Sequence, residues 1–173
     1  MRIALIASVV ALLPVALTAA AAAEPVPANL APPAGFKRVL EASAVGVQIY
    51  RCGPPKGAQG DAAPVWNFEA PRATLSDQRG GPVGRHYAGP TWEAADGSKI
   101  TGKIAARADA TEPGAIAWLL LTAESAGAPG RFDQVRAVQR VFTSGGSAPA
   151  GACKQIGETL EVPYKAMYVF WAP

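Results

Sequence analysis

Histidine and cysteine are nearly missing from this chain of 173 residues, and each shortage removes a class of chemistry. His86 is the sole histidine, which rules out zinc or copper sites built from several imidazoles and leaves only a mixed site with carboxylates. The two cysteines, Cys52 and Cys153, form no C-x-x-C pair of the kind redox enzymes use. No serine stands in a G-x-S-x-G elbow, and neither G-x-G-x-x-G nor G-x-x-x-x-G-K-[ST] occurs, so hydrolase elbows and phosphate or dinucleotide cradles have no support. Past residue 23 no apolar run reaches the ~20 residues that cross a bilayer as a helix. An excess of one charge is lacking too: 16 Lys and Arg stand against 13 Asp and Glu, and the basic residues are scattered. A nucleic-acid partner is therefore not expected.

What is present begins with residues 1–23, which read as a secretory signal peptide: Arg2 as the positive n-region, Ile3 to Leu17 as the apolar core, and Ala21-Ala22-Ala23 as the cleavage site. The mature chain is expected to start at Glu24 and to reside in the periplasm or outside the cell. In that oxidising setting Cys52 and Cys153 are expected to form one disulfide, tying an early strand to a late one. Residues 24–35 (EPVPANLAPPAG) are proline-rich and read as an extended, surface-lying lead-in with no helix. Residues 36–173 are expected to form a single β domain.

Along that domain, Val45 to Arg51 alternates Val45, Val47 and Ile49 on one face with Gly46, Gln48 and Tyr50 on the other, as a half-buried strand does. Gly53 to Pro64 reads as a loop. Val65 to Ala70 is a strand that Pro71 is expected to limit, with a short strand at Ala73 to Leu75 after it. Asp96-Gly97, flanked by TWEA and SKITGKIAA, is the strongest hairpin signal. Ile116 to Thr122 is an apolar run that predicts a central strand buried on both faces. Phe132 to Thr143 is assigned to a strand on its Val, Phe and Thr content, and Val162 to Trp171 to a C-terminal strand. The sum is an all-β fold, an antiparallel β-sandwich or barrel of about 8–10 short strands.

His86, Tyr87, Trp92 and Glu93 lie within eight residues of one another, and aromatic rings beside polar groups suit a carbohydrate or small-molecule ligand. No cofactor is called for. An enzyme, hydrolytic or metal-dependent, would have to centre on His86, Glu93 and Asp96, although Asp96 is well explained by its turn with Gly97.

GVQIYRC (46–52), WNFEAP (66–71), VGRHYAGPTWEAADGSKI (83–100), AWLLL (117–121), VQRVFTSGG (138–146) and the VPYKAMYVFW tail appear in an order that resembles the secreted family catalogued as domain of unknown function 3455. The resemblance spans nearly all of the mature chain. It implies a β-like segment over 132–143 and brings no activity with it. The function expected is an exported, non-enzymatic binding or envelope-associated module.

Overall fold

A computed structural model describes residues 25–58 and 62–173; the expected signal peptide lies outside them. Eight strands run β1 (Lys37–Gly53), β2 (Val65–Ser76), β3 (Pro82–Tyr87), β4 (Thr91–Ala94), β5 (Lys99–Ala108), β6 (Trp118–Ser125), β7 (Ala137–Gly145) and β8 (Thr159–Ala172). Each pairs antiparallel with the next, and β8 returns to pair with β1, so the sheet closes as a barrel in sequence order. Of the two architectures the sequence allowed, closure selects the barrel. Several strands are long, since β1 and β8 have 17 and 14 residues. The Asp96-Gly97 hairpin joins β4 to β5 as expected.

Closure decides which face of each strand is inside. On β1 the interior residues are Ala42, Ala44, Gln48, Tyr50 and Cys52, while Val45 is 56% exposed. The apolar set Val45, Val47 and Ile49 thus faces outward, and the set containing Gly46, Gln48 and Tyr50 faces the lumen. Gly46 is needed where β1 crosses β2, because a Cβ there would stand 2.1 Å from the Arg72 carbonyl oxygen.

Three boundaries differ from the sequence reading. β2 runs straight through Pro71, beside a bulge where Ile49 faces Ala70 and Tyr50 faces Phe68. Its β3 neighbour, which pairs only from Ala73 onward, has already ended there, so the proline does not interrupt a two-sided ladder. β7 begins at Ala137 rather than at residue 132, since Phe132 and Val135 belong to the β6–β7 loop and turn inward as a plug. Phe132 stacks on Phe170 at 4.9 Å and closes that end of the barrel. The Cys52–Cys153 disulfide forms, with Cα atoms 5.8 Å apart, but Cys153 sits in the loop before β8 instead of in a strand.

The lead-in is also different from expectation. Ala28–Leu30 makes a single 3-10 turn, and Leu30 is fully buried. It packs outside the barrel wall among Trp118, Val141 and Val169. Gln139 Nε2 donates to the Leu30 carbonyl at 2.6 Å, Trp171 Nε1 donates to Gln139 Oε1 at 2.9 Å, and Asn29 Nδ2 donates to the Arg107 carbonyl at 3.0 Å. The strap explains how β6 is buried on both faces in a sheet that has no centre: Leu119 and Leu121 fill the lumen while Trp118 and Leu120 lie against the outer cluster.

Truncating Leu30→Ala removes the strap's one fully buried side chain and should lower stability by about 2–5 kcal/mol in urea denaturation. A loss under about 0.5 kcal/mol, the size expected of an ordinary surface site, would mean that the strap adds nothing to the wall. Replacing both Cys52 and Cys153 by alanine should cost about 2–4 kcal/mol while the β circular dichroism spectrum survives.

Candidate functional site

The plugged end leaves the other end open. There the loops after β3, β5 and β7 surround a cavity of about 970 Å³ that reaches into the lumen. Ile116, Leu119 and Leu121 supply its aliphatic wall, and Gln48, His86, Trp92, Arg140 and Tyr168 its polar depth. Strand pairing gathers these polar groups: His86 lies opposite Trp92, and Arg140 stands opposite both Leu119 and Tyr168.

His86 is buried, and its Nδ1 contacts the Thr91 carbonyl at 2.8 Å. A carbonyl only accepts, so Nδ1 carries the proton and Nε2 is left as an acceptor. Burial, with a smaller push from the Arg140 charge, brings the imidazole pKa down to about 3, against the partial offset of the Thr91 bond. The ring therefore stays neutral at ordinary pH. It stacks on Trp92 at 4.5 Å and meets Tyr168 edge-on at 5.1 Å. Trp92 in turn lies over Gly102, where a Cβ would come within 2.8 Å of its Cζ3.

Of the cations lining the cavity, Lys103 and Arg107 on β5 are exposed, whereas Arg140 is half-buried. Its Nε and Nη2 both donate to the Ala117 carbonyl, at 3.1 and 2.8 Å. None of the ion pairs among the described residues involves it. Its charge acts on Tyr50, His86, Tyr164 and Tyr168 together, and no carboxylate acts on any of them. Burial raises the pKa of all three phenols, so they remain protonated. The Tyr50 hydroxyl donates to the Gly146 carbonyl at 2.6 Å. Gln48 Nε2, Trp92 Nε1 and the Tyr164 and Tyr168 hydroxyls have no well-formed partner within the protein. Each such group costs about 1–3 kcal/mol in a dry interior.

The four residues singled out in the sequence are split by strand alternation. His86 and Trp92 point into the cavity; Tyr87 and Glu93 lie on the outer wall. There Tyr87 donates its hydroxyl proton to Glu93 Oε2 at 2.8 Å, Arg85 Nη2 donates to Oε1 at 2.8 Å, and Lys99 Nζ stands 3.4 Å away. Those two hydrogen bonds, Arg85 first, hold the Glu93 carboxyl at about 2. Asp96 is at the plugged end, where its Oδ1 accepts from the Ser98 hydroxyl and backbone N–H and its Oδ2 from the Arg131 N–H. These bonds hold it at about 2 as well. His86, Glu93 and Asp96 thus do not converge. Among the described residues no group of three His, Cys, Asp or Glu side chains is placed to hold a metal ion.

Over residues 32–172 the chain matches the family model described as Protein of unknown function (DUF3455). The chain belongs to the DUF3455 family. No curated protein and no solved structure matches it. The lumen of this DUF3455 barrel contains groups that the sequence reading passed over, namely Gln48, Arg140, Tyr164 and Tyr168. Period-two spacing carried one usable signal: Val138 and Arg140 share a face of one strand, so an apolar inner face there brings a charge with it.

The neutral His86 makes the DUF3455 barrel acid-sensitive. In the unfolded chain His86 binds its proton near pH 6.5, whereas in the barrel it does so only near 3. Between those values the unfolded state holds more protons, so stability falls as pH falls, by up to about 1.4 kcal/mol per unit. Glu93 and Asp96, depressed to about 2 from 4.5 and 3.8, add to the loss only below about pH 4.5. Urea midpoints should therefore decline from pH 6.5 to 5 in the native protein and stay level in His86→Gln. Equal slopes in the two proteins would rule out a neutral, buried imidazole.

Proposed function

We propose that this chain is an exported, non-enzymatic binding module whose barrel takes a small molecule into its open end. The observation that carries the reading is the cavity itself. At about 970 Å³ it is in the size range of small-molecule sites, and it combines an aliphatic wall with a few convergent polar groups. Leu119, Leu121, Ile116 and the Trp92 ring favour a largely apolar occupant over a carbohydrate. Export is supported by the expected signal peptide and by the Cys52–Cys153 bond, since such bonds persist in oxidising compartments. No helix among the described residues is long and apolar enough to cross a membrane. The outer wall carries the ion pairs Arg72–Glu161 and Arg85–Glu93, the chemistry of a surface facing water.

The enzyme alternative centred on His86, Glu93 and Asp96 is not favoured. Its three side chains occupy the cavity, the outer wall and the plugged end, too dispersed to act on one substrate.

Trp92 lines the cavity, so its emission should report an occupant. Titration with a neutral fluorescent probe such as N-phenylnaphthylamine should show saturable one-to-one binding in the micromolar range, with quenching of tryptophan emission. Ala148→Trp, placed in the cavity wall near its mouth, should abolish binding without altering the circular dichroism spectrum. Absence of saturable binding for neutral apolar probes and oligosaccharides alike would sink the proposal.

A further inference from the structure

We infer that the cavity selects a small monocarboxylic acid with an apolar body, its carboxylate held by Arg140. This rests on the binding-module reading above and names the class of ligand. The guanidinium is positive and turned into the lumen between Leu119 and Tyr168. It is anchored to the Ala117 carbonyl through Nε and Nη2, which fixes its position, and it also reaches the Tyr168 hydroxyl, itself a neutral group that leaves the positive charge unbalanced. Among the described residues no acidic side chain forms an ion pair with it; Glu69, Asp109 and Glu112 line the cavity but pair elsewhere or not at all. Glu69 is bound to Arg51 and Glu112 to the Ser144 hydroxyl, which draws both away from the floor. A partly buried cation without a counter-charge is a receptor for an anion.

Other polar groups lining the same cavity are of matching kind. Gln48 Nε2, Trp92 Nε1 and the Tyr168 hydroxyl make no well-formed hydrogen bond, although Gln48 and Tyr168 both approach Tyr164 and Tyr168 approaches Arg140; their side chains are 2%, 1% and 1% exposed, and all three line the cavity. A carboxylate offers two oxygens with about four acceptor sites, enough for the guanidinium and several of these donors at once. The single half-buried cation argues for a single negative charge, because a phosphate monoester would bring a second charge that nothing on the floor balances. On the mouth side of the head group Ile116 and Leu119 line the cavity and would cover a chain or ring, while Leu121, opposite Val138, lies deeper than Arg140. His86 adds no charge, since its imidazole is neutral and its Nδ1 proton is committed to Thr91.

Calorimetric titration of the full mature protein with octanoate, octanol, octylamine and octyl phosphate separates charge from apolar fit. Octanoate should bind at least about 10-fold more tightly than octanol, the value expected for a charge-assisted hydrogen bond, and more tightly than octyl phosphate or octylamine. Arg140→Gln should abolish that preference while octanol binding is retained. Because Arg140 also holds the Ala117 carbonyl, Tyr168→Phe provides a second variant that leaves this anchor in place; it should weaken octanoate several-fold, and by more than it weakens octanol, because a hydrogen bond to a charged oxygen is the stronger one. Equal affinity for octanoate and octanol, a preference for octyl phosphate, or an acid preference that survives both substitutions overturns the assignment while the binding-module reading stands. If none of the four probes binds and the neutral fluorescent probe fails as well, both readings fall together.

Discussion

Pairing of the last strand with the first is the constraint from which the rest of this structure follows. β8 lies along β1 over most of their lengths, which removes the free sheet edges that would otherwise invite aggregation and gives each strand one lumenal and one outer face. An eight-stranded barrel has an interior just wide enough to be filled by side chains or to hold one small molecule. This protein does both, at opposite ends. Phe132, Val135 and Phe170 fill one half, and small or polar residues leave space in the other.

Placing polar groups in a lumen has a cost that a fully apolar core avoids. The guanidinium, imidazole and one phenol of the cavity are partly satisfied by backbone carbonyls: Ala117 for Arg140, Thr91 for His86 and Gly146 for Tyr50. Ala117 and Gly146 belong to segments between strands near the open end and Thr91 is the first residue of β4, so the backbone at that end both lines the mouth and orients its side chains. The disulfide reinforces the same region, joining the end of β1 to the β7–β8 loop from which the Gly146 carbonyl comes. Stability and ligand-binding chemistry are thereby concentrated in one part of the barrel, where positioned polar groups have the most to gain from an occupant.

The outer face has its own logic. On β1 to β5 it mixes apolar residues such as Val45 with ion pairs such as Arg85–Glu93, whereas over β6 to β8 it carries Trp118, Leu120, Val141, Met167, Val169 and Trp171, an apolar cluster packed with Leu30 of the strap. Gln139 is the polar link, accepting from Trp171 and donating to the strap's backbone. A proline-rich segment suits this task because it crosses the wall without needing partners for a full set of backbone donors.

Much of the architecture was legible in the sequence. Strand content, the Asp96-Gly97 hairpin, the doubly buried apolar run of β6, the aromatic C-terminal strand and the pairing of Cys52 with Cys153 follow from local pattern and cysteine count, because turn chemistry and period-two alternation act over a few residues. Alternation says which side chains share a face but not which face is inside. Apolar Val45, Val47 and Ile49 point outward while Gln48 and Tyr50 enter the lumen, and His86 and Trp92 part from Tyr87 and Glu93 for the same reason. That choice was made only when β1 met β8, and it brought Arg140, Tyr168 and Gln48, distant in the chain, to one cavity floor. His86 and Trp92 could be nominated from local sequence because they are neighbours in it, but residues drawn together only by closure of the sheet leave little mark there, so the grouping of the cavity was decided by the tertiary structure.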